Sequence, residues 1–404
     1  MPQKLSHRFF LYILAIWFLF ILVLYAFTGF IFSDLSFTEA IFLTSSTITF
    51  TGMGLQELQE ELMWLARLFL VANTWFGMIF WTFWAVWMVL QKTKNGHISV
   101  LRLLRNILAI LIIAIPATTI LIYYLIGSEY NFESVFHRME FSFFNASNAF
   151  GNTGLLLHPP GDTTGWLSHH FVIQVVLLTT LVAGASGYFA VRDLFTPSVL
   201  RKRLKHPERD WKPFTKMAVF GGGFLIMISA ILFLVSEFSN ALHGLKATEK
   251  VVASIFFVAS ARSAGMAVFD MSSLQTTTLL LLTALMFVGG MYASNAGGWR
   301  LDQFYLLARS SKNGSRKMIF KGILVVGFFN YILIVLRIFL GDEGKLSHFI
   351  FEQISAFGNT GWVMHSFDQL SAHAKWILAA SMIFGRVGII IFVSGIAQRV
   401  SCYK

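Results

Sequence analysis

Four short polar segments carry the residue types in this chain that can do chemistry. They read Thr49-Phe50-Thr51-Gly52, Gly151-Asn152-Thr153-Gly154, Arg262-Ser263-Ala264-Gly265 and Gly358-Asn359-Thr360-Gly361. Backbone carbonyls and hydroxyls are hard oxygen ligands. They suit a dehydrated alkali cation and have no means to abstract a proton or attack a carbonyl. Glycine adopts positive φ without steric cost, so it lets successive carbonyls turn toward one axis. A single Asn-Thr-Gly is equally a helix-capping turn. Four, at the near-even positions 52, 154, 265 and 361, are not accounted for that way.

The elements that position them are apolar. Runs at 9–32, 65–90, 106–127, 171–191, 217–237, 276–299 (interrupted), 319–340 and 374–397 meet the length of about 20 residues that a membrane span needs. Shorter stretches at 36–48, 132–149, 248–261 and 346–357 lead into the polar segments. The first opens with Ser36-Phe37-Thr38-Glu39, a capping box. A short helix and a glycine turn between two spans describe a re-entrant loop, which survives at membrane depth only inside protein or beside water. The fold class read here is an all-α membrane protein. Its eight transmembrane helices form four helix–pore loop–helix repeats around one pore, at 1–95, 96–200, 201–315 and 316–404, with the second span of the third repeat broken.

Composition agrees. The chain is 56% hydrophobic and 13% charged, against about 25% charged in soluble domains. Its one cysteine, Cys402, excludes an intrachain disulfide. The net charge of +11 is not a nucleic-acid signature, because 22 of the 31 Lys and Arg fall in the N-terminus, 91–105, 192–216, 300–321 and the C-terminus. Of the 20 acidic residues, only Asp193, Glu208, Asp210 and Asp302 join them. The positive-inside rule makes those five segments cytoplasmic, both termini included, and leaves an acidic outer face. The basic Met1–Arg8 and the long run after it read as a retained first helix.

The fourfold pattern resembles the Trk/Ktr/HKT superfamily of potassium transporters over essentially the whole chain. Eight spans are most similar to the Ktr-type membrane subunit. The resemblance implies that Gly52, Gly154, Gly265 and Gly361 coordinate the ion, and that glycine rather than serine at the first position favours K+ over Na+. Arg262-Ser263-Ala264-Gly265-Met266 is similar to the family's Arg-Thr-Ala-Gly-Phe, while Phe50 departs from the pattern. It further implies a homodimer in the cell (inner) membrane, in contact with membrane lipid. Each protomer would have its own pore, docked on a cytoplasmic ring of nucleotide-binding regulatory subunits. K+ is the only ligand expected, at filter residues, with no organic cofactor, no nucleic acid and no enzymatic activity. A sodium or poorly selective channel of the same architecture is the first alternative. A cofactor-binding membrane enzyme is the second, and it would need paired histidines or acids within spans.

The run Gly289-Gly290-Met291-Tyr292-Ala293-Ser294-Asn295-Ala296-Gly297-Gly298 does not sustain a helix. It is either a small-residue packing face or an unwound loop below the filter. The resemblance implies a gating loop, although Trp299-Arg300-Leu301 replaces the family's Ile-Lys-Thr type sequence. Gly289, Gly290, Ser294, Asn295, Gly297 and Gly298 are the gate residues, together with Arg386. A mid-membrane arginine is costly. Arg386 lies about 12 residues, roughly 18 Å, into the last span, a depth at which it is expected to reach the broken segment and hold it across the pore. The competing reading pairs it with a carboxylate. Arg262 is expected to brace its loop. Arg67 and Arg337 are expected to snorkel, and His158 and His365 to be polar surface. His169-His170 lacks a third metal ligand, and no P-loop, zincin or nucleophile-elbow motif occurs.

Overall fold

A computed structural model describes residues 36–55, 64–90, 100–127, 130–161, 166–195, 199, 201, 205, 211–262, 264–309, 313–342 and 344–392. The expected first span at 9–32, Ser263, Cys402 and the end of the last span lie outside these residues. The described residues form helices and turns, with one isolated bridge between Val288 and Trp299.

Each short stretch is a helix: α1 (Phe37–Ile48), then, after the long helices α2 (Trp64–Leu90) and α3 (Val100–Ile126), α4 (Val135–Gly151). Ser36 caps α1 through the expected box, its Oγ accepting from Glu39 N while the Glu39 carboxylate accepts from Ser36 N at 2.9 Å. The chain continues through α5 (Phe171–Ala185), α6 (Tyr188–Phe195) and α7 (Pro213–Glu237) to α8 (Ala247–Ala261) and α9 (Thr276–Phe287). It ends with α10 (Leu301–Arg309), α11 (Asn313–Phe339), α12 (Leu346–Gly358) and α13 (Ala372–Phe392).

Packing is cyclic. α2 lies on α4, α5 on α8, α9 on α12, and α13 returns to α1. The helix after each short helix thus packs against the next short helix, and the last closes on the first. The membrane-length window is 61% buried in α2 but 22% buried in α11. α11 therefore shows most of its apolar surface outward, as a lipid-facing helix does. Five described helices are long and apolar enough to cross a membrane, six if α5 and α6 count as one bent span. The protein is a multi-pass membrane protein.

The run at 171–191, read as one span, is instead two helices meeting at 114°. Gly187 takes φ +80° there, and Tyr188 N donates at 2.9 Å to Ala293 O in the broken segment. A donor that would have continued the helix is satisfied by a residue far along the chain. α7 and α13 each contain one π-turn, Met217–Gly221 and Phe384–Gly388, and the second carries Arg386. Such turns recur at functional positions in helices.

Candidate functional site

The four short helices end in similar turns. Thr51 N donates to Ser46 O (2.8 Å), Thr153 N to Asn148 O (3.1 Å), Ala264 N to Ser260 O (2.8 Å) and Thr360 N to Ser355 O (2.9 Å). Phe50, Asn152 and Asn359 then take φ of 64°, 55° and 52°. Asparagine tolerates that region and phenylalanine resists it, at a cost of about 1–2 kcal/mol. Phe50 is fully buried, with the Arg386 guanidinium 4.5 Å from its ring centre.

The glycines follow at φ 69° (Gly52), 78° (Gly154), 65° (Gly265) and 91° (Gly361). Their Cα faces press on the next turn's backbone. A Cβ on Gly52 would fall within 3.0 Å of Thr153 O, and one on Gly154 would fall 2.9 Å from Ala264 O. One on Gly265 would crowd Thr360 O, and one on Gly361 would crowd Thr51 O, again within 3.0 Å. Turn one touches two, two touches three, three touches four, and four touches one. Side chains lace the ring. Asn359 Nδ2 donates to Thr51 Oγ1 (3.0 Å), Thr360 Oγ1 to Ala261 O (3.1 Å) and Trp362 Nε1 to Gly265 O (2.6 Å). Four helix C-termini, each the negative end of a dipole, lead into it. Thr49 Oγ1 is turned back onto Ser45 O at 2.6 Å, and Gly151 and Gly358 close α4 and α12.

Against the fourth turn lies the broken segment, a loop closed on itself at its ends. Gly289 N donates to Trp299 O and Trp299 N to Phe287 O, both at 2.9 Å. Met291 N and Asn295 N donate to Ala185 O (3.0 Å) and Gly184 O (3.1 Å), and Asn295 Nδ2 donates to Phe150 O (2.9 Å). A Cβ on Gly297 would crowd Gly358 O, so the loop abuts turn four. Gly290, Ser294 and Gly298 are buried within it. Arg262 Nη2 donates to Gly289 O at 2.9 Å, bracing the loop from the third turn. Arg386, fully buried, donates through Nη1 to Ala296 O and through Nη2 to Asn295 O.

Sequence reasoning missed Arg300, whose Nη1 donates to the same Ala296 O and to Ser294 Oγ (3.4 Å). It also missed the fully buried Asp302, which accepts from Tyr292 N (3.0 Å) and Gln303 Nε2 (2.8 Å). The signal was present as an Arg-x-Asp one residue beyond the glycine pair Gly297-Gly298. Arg337 does not snorkel. It is 1% exposed and pairs with Asp342 (2.9 Å) and Glu352 (3.1 Å). Nor is His365 bare surface, because its Nδ1 meets Glu352 at 2.8 Å. Arg67 is paired with Glu140 at 2.7 Å. A buried arginine keeps its charge by recruiting carboxylates when they are within reach.

A helical membrane protein whose glycine turns abut in a closed ring of backbone, against an arginine-held loop, belongs with proteins that handle ions rather than with enzymes. Comparison with known proteins agrees. Residues 92–319 match the TrkH family, described as a cation transport protein, and the chain belongs to that family. It is 28% identical to the Ktr system potassium uptake protein D of Bacillus subtilis over 57% of this chain and 54% of that protein. It is 22% identical to the Ktr system potassium uptake protein B of Vibrio alginolyticus over 88% of this chain and 83% of that protein. The chain thus spans about half the length of the first relative and most of the second. In fold it is similar to the crystal structure of the potassium transporter TrkH from Vibrio parahaemolyticus. The TM-score is 0.68 and the identity 17%, over 89% of this chain and 78% of that one.

Proposed function

We propose that this chain takes up potassium through a channel-like pore whose selectivity filter is the ring of four glycine turns. The cyclic contact of Gly52, Gly154, Gly265 and Gly361 with the next turn's carbonyl is the observation that carries the reading. Such a ring replaces an ion's hydration shell with oxygen dipoles. The pore is built from four repeats, at 1–95, 96–200, 201–315 and 316–404, with eight spans in all. The loop at 289–298, with Gly289, Gly290, Ser294, Asn295, Gly297 and Gly298, is the gate, and Arg386 holds it shut. Its positive charge adds an electrostatic barrier. The names of the Bacillus and Vibrio relatives support potassium as the cargo.

By the same family argument the protein works in the inner membrane as a homodimer, with cytoplasmic termini, on a ring of nucleotide-binding regulatory subunits. The test is growth of a potassium-uptake-deficient bacterium at low K+, together with 86Rb+ uptake by the purified protein in liposomes. Rescue and uptake by the native chain support the reading. Correct insertion without either overturns it. A sodium-permeable pore would appear as equal Na+ and K+ uptake in the same vesicles.

A further inference from the structure

The residue after each filter glycine is Met53, Leu155, Met266 or Trp362. All four are buried, and only the last can donate a hydrogen bond from its side chain. That donor is used. Trp362 Nε1 reaches across from turn four to the carbonyl of Gly265 in turn three, at 2.6 Å. The indole is held by stacking on Phe257 of α8, with ring centres 4.8 Å apart and planes 22° from parallel. Both rings are at most 1% exposed. In turns one and three the carbonyl of the residue after the glycine is tied within its own turn instead. Ser46 Oγ donates to Met53 O at 2.9 Å and Ser260 Oγ to Met266 O at 2.8 Å. Trp362 therefore makes a contact of a different kind, a side-chain bond from one turn to the filter-glycine carbonyl of its neighbour.

The geometry points to Trp362 as a selectivity-determining positioning residue that acts through the Gly265 carbonyl. This inference rests on the glycine ring being the filter. A carbonyl that accepts an indole N–H is drawn toward the indole and shares its lone-pair density with that donor. The Gly265 carbonyl, held from a neighbouring turn where the Gly52 carbonyl accepts from Leu55 N of its own turn (3.2 Å), thus presents a weaker dipole that is less able to close on an ion. Selectivity in a carbonyl ring depends on the number and field strength of its oxygens and on how far they can close. Released from Trp362, the Gly265 carbonyl can follow a smaller ion inward, and Na+ gains relative to K+. The fourfold glycine pattern in sequence thus carries a tryptophan contact between turns that the glycines alone do not specify.

The experiment compares native protein with W362F, which keeps a ring against Phe257 and removes the donor. A second variant carries 3-benzothienylalanine at position 362, which has sulfur in place of the indole N–H in a ring of nearly the same shape. K+/Na+ permeability ratios are read from reversal potentials in planar bilayers, and thermal midpoints from the same preparations. The expected result is a ratio lowered about threefold to tenfold in both variants, the factor carried by one hydrogen bond's free energy. The midpoint of the benzothienyl protein stays near native. If W362F does not fold, the benzothienyl protein decides alone. A native ratio in the benzothienyl protein overturns the inference while leaving the filter assignment standing. Native protein that passes no monovalent cation overturns the filter reading itself, and this inference with it.

Discussion

Replacing Arg386 with alanine separates a gate from a structural strut. The guanidinium makes two charge-assisted hydrogen bonds, to Asn295 O and Ala296 O. Each is worth about 1.5–3 kcal/mol, so the loop loses roughly 3–6 kcal/mol of gross restraint in its present position. The same substitution removes a fully buried charge from the interior, which returns several kcal/mol of desolvation. The two terms are similar in size and opposite in sign, so overall stability moves little. The loop position does not share that cancellation, because a displaced loop makes neither bond. A loss of about 3 kcal/mol on the closed side alone moves the closed-to-open ratio about a hundredfold. The expected outcome is a large rise in 86Rb+ flux through R386A in liposomes, with a thermal midpoint close to native. R386K, whose single ammonium reaches one carbonyl at a time, should fall between. Native flux in well-folded R386A refutes the reasoning. So does a collapsed midpoint with no rise in flux, since Arg386 would then be a strut.

Three further expectations concern other parts of the molecule. Gly265→Ser should abolish growth rescue at low K+ and Gly154→Ser should weaken it, because the added Cβ overlaps Thr360 O in the first case and sits 2.9 Å from Ala264 O in the second. Equal rescue by both variants would contradict this ranking. Glu237 accepts from Gln275 N (2.9 Å), Thr278 Oγ1 (2.5 Å) and Asn240 Nδ2 (2.7 Å), tying the end of α7 to the start of α9. E237Q gives up one acceptor oxygen for a donor and should cost about 2–4 kcal/mol, read as a lower thermal midpoint. His365 is held above its ordinary value by its hydrogen bond to Glu352, against some desolvation. Its stabilising contribution is complete below the ordinary imidazole value of 6.5 and is lost as pH rises through the raised one. The midpoint should therefore fall with rising pH above 6.5, and H365Q should flatten that slope. Its neighbours do not titrate in that window. His348 is lowered by burial and by the His365 charge, so it acts on the acid side of 6.5. Glu352, which burial would raise but the His365 bond and the Arg337 charge bring below 4.5, acts lower still. An unchanged slope in H365Q would count against the pairing.

The helices were legible because membrane length and polarity are read locally. The stretch expected at 248–261 is Ala247–Ala261, and that at 346–357 is Leu346–Gly358. Ser36 and Glu39 marked the start of α1 because a capping box is complete within four residues. The bend between α5 and α6 was not legible. Its apolar run continues to 191, and the acceptor that ends the helix, Ala293 O, arrives from the broken segment about a hundred positions further on. The partners of Arg337 were hidden for a similar reason, since Asp342 and Glu352 lie beyond the helix that carries it. The glycine positions could be read as turns, but not which turn each would press against. That order follows from the cyclic packing of helices. Phe50 gave no sign that it would take positive φ, because the side chain itself disfavours it and the surrounding turn imposes it.

The contact between the fourth turn and the first has a consequence for how the protein is made. Asn359 and Thr51, joined at 3.0 Å, are 308 positions apart in the chain. Contacts of such long range form late, after the loop entropy between them has been overcome, and a chain under synthesis delivers its N-terminal parts first. The opening turn can close its own backbone bonds, as Thr51 N does onto Ser46 O, but its bond from Asn359 must wait until the end of the sequence has been made. A half-made chain has no closed ring and hence, on the filter function proposed for that ring, no finished ion path.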